Sequence, residues 1–230
     1  MNLIEALMQA GFTKHESTLY ITLCREGELS GYEASKLTGI SRSNAYLGLA
    51  GLMEKGGANK IEGDTSKYAA VQPTELIRNL KRQFEEVIGV IERESPELKG
   101  NDEAFITVSG RTQIINKMKN LIADATQRVY ISASGEQLRM VMEEIITARD
   151  RGLKVVVITS DFEPVEGIIC FKTQKQSDSI RLITDSAHVL TGQLSHSNIS
   201  TCIYTINNNM VELIKDSLTN EMKLISLKNQ

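Results

Sequence analysis

The stretch SGYEASKLTGISRSNAYLGLAGLMEKGG, residues 30–57, reads as two helices joined by a tight turn. Ser30 and Glu33 stand at the spacing of a capping box, in which the hydroxyl accepts from the third backbone N–H and the carboxylate takes the cap's own N–H. Tyr32, Ala34, Ser35 and Leu37 carry this helix to Gly39, the residue best suited to a left-handed C-terminal cap. Ser41, after the apolar Ile40, then starts a second helix. In it Ala45, Leu49, Leu52 and Met53 recur at spacings of three and four and form one core face down to Lys55-Gly56. The opposite face carries Arg42, Ser43, Asn44 and Tyr46 near the helix start.

Upstream, Thr13 and Glu16 repeat the capping-box spacing and open a helix that buries Leu19, Tyr20 and Leu23 before Glu26-Gly27-Glu28 breaks the chain. Downstream of Gly56-Gly57, residues 58–71 read as two strands around a Gly63-Asp64 turn. Three helices followed by a hairpin is the order of a winged helix-turn-helix, assigned here to residues 1–73. In that fold the helix beginning at Ser41 enters the DNA major groove. Ser41, Arg42, Ser43, Asn44 and Tyr46 are therefore candidates for contact with bases or flanking phosphates, and Lys60, Ser66 and Lys67 of the wing for contact with phosphates, which position without reading sequence. Charge argues mildly against this, since residues 1–75 hold seven Lys and Arg against nine Asp and Glu, a net of −2. Placement matters more than the sum, because exposed charges act over about a Debye length, roughly 8–10 Å.

Past Gln72-Pro73, residues 74–96 read as a linking helix. Ile77, Leu80, Phe84, Val87 and Ile91 alternate at three and four, the spacing of a coiled-coil seam, with charged residues outside it. A narrow stripe of this kind is expected to pair with a second copy, making a homodimer; the alternative is packing within its own chain. Ser95-Pro96 ends the helix and Lys99-Gly100-Asn101-Asp102-Glu103 reads as a linker. From residue 104 strands and helices alternate. Residues 105–108, 128–133 and 153–159 read as strands, 113–125 and 137–149 as helices, then 167–171, 180–184, 189–190 and 201–206 as short strands, and 210–224 as a closing helix. Residues 104–230 are thus an α/β domain with its own core.

Three cysteines, Cys24, Cys170 and Cys202, are odd in number and set in apolar segments, which suits reduced core thiols better than a disulfide frame or a metal site. No apolar run reaches the length of a membrane span, and the N-terminus lacks the order of a signal peptide, so a soluble, cytoplasmic protein is expected.

Gly11-Phe12-Thr13-Lys14-His15-Glu16-Ser17-Thr18-Leu19-Tyr20, the run Ile40 to Tyr46, and the wing exit from Lys67-Tyr68 to Gln72-Pro73 resemble the DNA-binding domain of the TrmB family of transcriptional regulators. Gly110-Arg111-Thr112, Arg128 to Ser132 and Asp185 to Gly192 are similar to the phospholipase-D-like domain that members of this family carry. The resemblance implies a homodimeric, ligand-responsive repressor or activator, often tied to sugar or other metabolite supply. Gly56-Gly57-Ala58-Asn59 departs from the family, which usually has an apolar pair after the glycine.

Phospholipase-D-type phosphodiesterases need a His nucleophile, a Lys two residues on and an Asp after four more. At His188 those offsets hold Leu190 and Ser195, and at His196 they hold Asn198 and Ile203, so the phosphate clamp and the activation of the His are lost together. His15 belongs to the first helix of the other domain. No Ser-His-Asp order, Walker loop or metal-ligand cluster appears, and an enzyme, a cofactor or a metal is not expected. A small polar molecule has a place beyond the carboxyl ends of two strands, at Ser132, Ser134 and Gly135 and at Thr159, Ser160 and Asp161; the same residues also read as ordinary caps and loops. The expectation is a DNA-binding regulator whose partners are an operator duplex, a second copy and a small-molecule effector, with no membrane. Two alternatives remain: a protein-binding module derived from such a regulator, favoured by the acidic balance, and a degenerate phosphodiesterase.

Overall fold

Reciprocal capping decides where the helices of the N-terminal unit begin. A computed structural model describes residues 1–63, 65–97, 105–161, 163–173, 178–195 and 199–228, and the chain divides into two compact units, Met1–Leu98 and Lys99–Gln230. Asp64 of the wing turn, the linker residues 99–103 and His196 lie outside the described residues. In the first unit α1 (Leu3–Gln9), α2 (Lys14–Glu26) and α3 (Gly31–Thr38) each start with a complete capping box, formed by Asn2 with Glu5, Thr13 with Glu16, and Ser30 with Glu33. The first of these helices is an addition to the expected three. It has the same spacing, with asparagine in place of a hydroxyl cap, and it places Leu7 and Phe12 in the core.

The second helix-turn-helix helix, α4 (Arg42–Glu54), buries Ala45, Leu49 and Leu52 completely, with Met53 packed beside them. It crosses α2 closely because two glycines face that helix: a Cβ at Gly48 would lie 2.7 Å from Leu19, and one at Gly51 2.3 Å from Glu16 Oε1. The helix ends in a Schellman motif. Gly56 takes φ +70°, its N–H donates to Met53 O at 2.9 Å, and Gly57 N–H donates to Leu52 O at 2.7 Å. Gly57 lies on Leu52 where any side chain would clash, and Ala58 is buried, so the glycine pair that departs from the family pattern still seats the wing.

The wing strands β2 (Ala58–Ile61) and β3 (Lys67–Ala70) pair antiparallel, and a two-residue strand absent from the sequence reading, β1 (Leu29–Ser30), pairs with the other edge of β3. Tyr20 donates its hydroxyl to Val71 O at 3.1 Å, tying α2 to the wing exit. Pro73 then opens α5 (Pro73–Glu94), where its missing N–H costs nothing. Leu76 is buried and Leu80 is packed against the core of this unit, so the expected seam begins by docking on its own chain. Beyond it Phe84, Val87, Ile88 and Ile91 are about half exposed.

The second unit is a seven-stranded mixed sheet in the order β4-β10-β9-β8-β5-β6-β7. Its elements in chain order are β4 (Ile106–Ser109), α6 (Arg111–Asp124), β5 (Arg128–Ser132), α7 (Gly135–Arg139), α8 (Met142–Asp150), β6 (Lys154–Thr159), β7 (Ile168–Lys172), β8 (Ser179–Thr184), β9 (His188–Gln193), β10 (Thr201–Thr205) and α9 (Asn208–Lys228). Strands β5, β6 and β7 run parallel, with α7 and α8 in the crossover from β5 to β6, and the remaining pairs are antiparallel. Side-chain alternation splits the core. Val129, Ile131, Val155, Val157, Ile180 and Leu182 face α6, α7 and α8, whereas Ile158, Ile183 and Val189 face Val211, Leu218 and Ile225 of α9.

One helix expected over 137–149 is two. Ser134 and Gln137 form a capping box that starts α7 two residues earlier, and the chain turns at Met140 and Val141 before α8. Gln137 Nε2 reaches Asp178 O at 3.0 Å and Leu194 O at 2.9 Å, which fixes the short first helix against the sheet. The cysteines are also not all core thiols. Cys202 is buried, and burial pushes its thiol up to about 11, but Cys170 is half-buried and Cys24 is exposed on α2. Among the described residues no helix is long and apolar enough to cross a membrane.

Candidate nucleic-acid interface

The start of α4, unlike those of α1, α2 and α3, has no side-chain cap hydrogen bond. Ser41 occupies the cap position but makes no cap hydrogen bond; its Oγ lies 3.4 Å from Ser43 Oγ. The hydroxyls of Ser41 and Ser43 and the first backbone N–H groups therefore face solvent, and Ser41, Arg42, Ser43, Asn44 and Tyr46 are all exposed. Arg42 places its Cζ 4.3 Å from the centroid of the Tyr32 ring on α3. A cation over an aromatic face is attracted by its quadrupole, and this stacking leaves the five guanidinium N–H donors free to bind in the ring's plane of approach. Tyr46 lies against Gly31, where a Cβ would meet its ring at 2.4 Å, so the turn geometry between α3 and α4 is set by an aromatic packed on a glycine.

Sequence reasoning missed Tyr32, assigned there to the helix body. Its signal is the i, i+10 pairing of an aromatic and an arginine across a helix-turn-helix, visible only once the turn is closed. It also missed that Leu37 of α3 and Leu47 of α4 are exposed, at 56% and 71%.

On the wing, Lys60 and Lys67 are exposed and Ser66 is half-buried. Lys60 Nζ donates to Glu62 Oε1 at 3.0 Å, a contact that raises the lysine's pKa; both side chains reach solvent, so the pair holds its cation weakly. Lys67 stands opposite Ser30 in the β1–β3 register, beside Glu33, whose carboxyl is held low first by the Ser30 N–H and also by Lys67. Lys55 is not available: its Nζ is 2.6 Å from Glu16 and 2.9 Å from Gly11 O.

In the second unit the residues at the carboxyl ends of β5 and β6 come together but enclose little space. Ser134 is the cap of α7, a Cβ at Gly135 would meet Asp161 O at 2.0 Å, and Thr159 is 1% exposed with a hydroxyl that has no partner among the described residues. Ser160 is half-buried, and Asp161 is exposed with its carboxylate 3.8 Å from Arg139. Ser132 accepts from Arg181 Nη2 at 2.9 Å; Arg181 also bonds Ser217 at 3.1 Å and pairs with Glu221. The cavity beside Ser132 and Ser134 measures about 20 Å³, room for about one water. His188 Nδ1 lies 3.0 Å from the Tyr204 hydroxyl, and Lys117 Nζ caps the Tyr204 ring at 3.7 Å, so the imidazole is held by a phenol.

Residues 7–74 match the model of the sugar-specific transcriptional regulator TrmB, and residues 104–220 that of the N-terminal EBD subdomain of the same regulators. The uncharacterized protein YrhO of Bacillus subtilis is 28% identical over 98% of this chain and 86% of its own. The sugar-sensing transcriptional regulator TrmBL1 of Pyrococcus furiosus is 26% identical over 71% of this chain, which spans 48% of that protein's length. Among solved structures, that of TrmBL2, an archaeal chromatin protein with a novel mode of DNA binding, covers 96% of this chain and 97% of its own at 19% identity and a TM-score of 0.51, a likeness of fold. With the helix-turn-helix, the wing and the α/β unit each matched in order, the chain belongs to the TrmB family of transcriptional regulators.

Proposed function

We propose that this member of the family binds a specific operator as a homodimer, reading base edges with Arg42, Asn44 and Tyr46, holding flanking phosphates with Ser41, Ser43, Lys60, Ser66 and Lys67, and changing affinity when a small molecule binds the second unit. The observation that carries this reading is the start of α4. Its polar side chains are exposed, its cap is unmade, and Arg42 is pre-positioned on Tyr32 with its donors free. Two copies are required because one module with a net charge of −2 over residues 1–75 has little non-specific attraction for DNA. The half-exposed stripe of Phe84, Val87 and Ile91, continuous with Ile77 and Leu80, supplies the pairing surface. Ligand acts by favouring one dimer geometry, and α5 passes the difference to the spacing of the recognition helices. The shift is bounded by the ligand's differential affinity for the two geometries, typically about 1–3 kcal/mol.

Anisotropy of a labelled duplex from upstream of the protein's own coding region tests the reading, at low and physiological salt and beside Arg42→Ala. A bidentate contact to a base predicts a loss of about 1–3 kcal/mol in the variant and weaker binding as salt rises. Equal affinity of variant and wild type for that duplex sinks it. A second reading, a protein-binding module, is favoured by the exposed Leu37 and Leu47 beside the same polar residues. It predicts that no duplex is preferred over random DNA.

A further inference from the structure

The face of the sheet that α9 covers holds cations at both ends, and among the described residues one end is matched by a half-buried carboxylate while the other has only an exposed ion pair. Alternation along β5 and β8 puts Arg128, Tyr130, Ser132, Arg181 and Ile183 on this face. At the carboxyl end of β5 the guanidinium of Arg181 is matched by Glu221, Ser217 and Ser132. At the other end Arg128 and Lys215 stand at the rim of a cavity of about 100 Å³, floored by Tyr130, Ile183, Leu218 and Met222. A third cation, Lys154, lies 5.8 Å from the Tyr130 ring.

Among the described residues this second group meets one carboxylate, and that one is on the exposed side of Lys215. Among the described residues Arg128 bonds only Gln127 Oε1, at 3.4 Å, through its guanidinium. Lys215 pairs with Glu212 at 3.0 Å, both side chains about half exposed, an arrangement that holds its cation weakly. Asp185, beside the cavity residue Ser186, is engaged by backbone N–H groups rather than by the Arg128 guanidinium. Its carboxylate accepts the backbone N–H groups of Thr126 at 2.8 Å, Gln127 at 2.8 Å and Arg128 at 2.9 Å. Asp185 and Ser186 both adopt left-handed backbone, φ 52° and 55°, a strained pair for residues with side chains, and this fixes Ser186 at the cavity edge.

We propose that the cavity beneath α9 binds a small organic anion with an apolar body, its charged head between Arg128 and Lys215 and its body on Tyr130, Ile183, Leu218 and Met222. The enclosed volume is below the roughly 150 Å³ that takes benzene, so the buried part of the ligand is a chain of a few carbons or one edge of a ring. Ile183, Leu218, Met222 and the ring of Tyr130 suit a hydrocarbon body better than a ring of hydroxyls, while Arg128 and Lys215 suit an anionic head. As an effector site this rests on the gating proposed above; as a binding site it does not, and the test reads binding without DNA.

Ligand-observed NMR titrations of the full chain with butyrate, butyl phosphate, the uncharged butyramide and inorganic phosphate decide it. Butyrate or butyl phosphate is expected to bind about tenfold or more tightly than both butyramide, which lacks the charge, and inorganic phosphate, which lacks the apolar body. The stronger of the two heads tells a carboxylate ligand from a phosphate ester. Arg128→Gln and Lys215→Gln should each weaken that binding about tenfold. Thr219→Leu, which fills the cavity, should also weaken it, at an unchanged melting temperature. Butyramide binding as tightly as butyrate, an anion affinity untouched by Arg128→Gln and Thr219→Leu, or no saturable binding of either organic anion overturns the proposal.

Discussion

Gly51 of α4 meets the carboxylate of Glu16 on α2 so closely that a Cβ there would stand 2.3 Å from Oε1. That carboxylate cannot swing aside cheaply, because it accepts the Thr13 N–H at 2.7 Å and pairs with Lys55 at 2.6 Å. In a free helix Gly→Ala gains about 1 kcal/mol. Here Gly51→Ala displaces a buried, doubly bonded carboxylate, which costs more than the propensity returns. The variant is expected to be about 1–2 kcal/mol less stable than wild type in urea unfolding followed by helical circular dichroism. A gain in stability would show that the two helices have room to part.

The same carboxylate makes the first unit sensitive to acid. Burial acts to raise its pKa, and the Lys55 ammonium with the Thr13 N–H and hydroxyl outweighs burial, so the folded value falls below the ordinary 4.5. A carboxyl with a depressed folded pKa contributes stability that is present above its unfolded value and lost as pH falls through the folded one. Stability is therefore expected to drop on acidification from about pH 4.5 downward, with the drop reduced in Glu16→Gln. Parallel pH profiles of wild type and Glu16→Gln would place the acid-sensitive group elsewhere.

Capping chemistry made the N-terminal unit legible: Thr13, Ser30, Gly39 and the Gly56-Gly57 stop are local signals, and the helices begin and end where they lie. What stayed hidden depends on residues far apart in the chain. The two-residue β1 has no period of its own and exists because Leu29 finds Tyr68. The break at Met140 and Val141 falls within an amphipathic pattern, and Gln137 decides it by reaching Asp178 and Leu194 across the fold. The candidate interface rests on two kinds of feature. Arg42 and its neighbours were marked by position, whereas Tyr32 beneath Arg42 and the cavity lined by Arg128 and Lys215 arise only when separate elements close on one another.

Tyr32→Ala removes the platform under Arg42 without touching the residues proposed to meet DNA. An exposed cation–π contact is worth about 0.5–1 kcal/mol. Operator affinity should fall about two- to fivefold, less than in Arg42→Ala, and the double variant should bind no more weakly than Arg42→Ala alone. Additive losses in anisotropy would mean that Tyr32 contacts DNA directly.

Asp185 closes the β8–β9 connection with backbone that favours glycine, and holds the chain between α6 and β5 through three N–H groups. Asp185→Ala loses the acceptors and keeps the unfavourable φ, for an expected cost of about 2–4 kcal/mol in the second unit. Asp185→Asn tolerates the left-handed conformation and retains one oxygen, so it should cost less than Asp185→Ala. Equal melting temperatures for the two variants would remove the hydrogen bonds from the account.

Leu80 and Phe84 are one turn apart on α5 and differ in burial, which lets folding and the proposed self-association be tested separately. Leu80 packs on the core of its own unit, whereas Phe84 is 48% exposed and Ile91 58%. Leu80→Ala should lower the unfolding midpoint at any protein concentration. Phe84→Ser and Ile91→Ser should leave the isolated chain as stable as wild type and weaken self-association by about tenfold or more each, read by sedimentation equilibrium. If two copies bind the operator as proposed, the same variants should lose operator affinity in proportion while retaining Arg42 intact. A wild-type chain that sediments as a monomer at tens of micromolar, or a dimer unaffected by both serine variants, would assign the stripe to some other contact and require a single module to bind DNA alone.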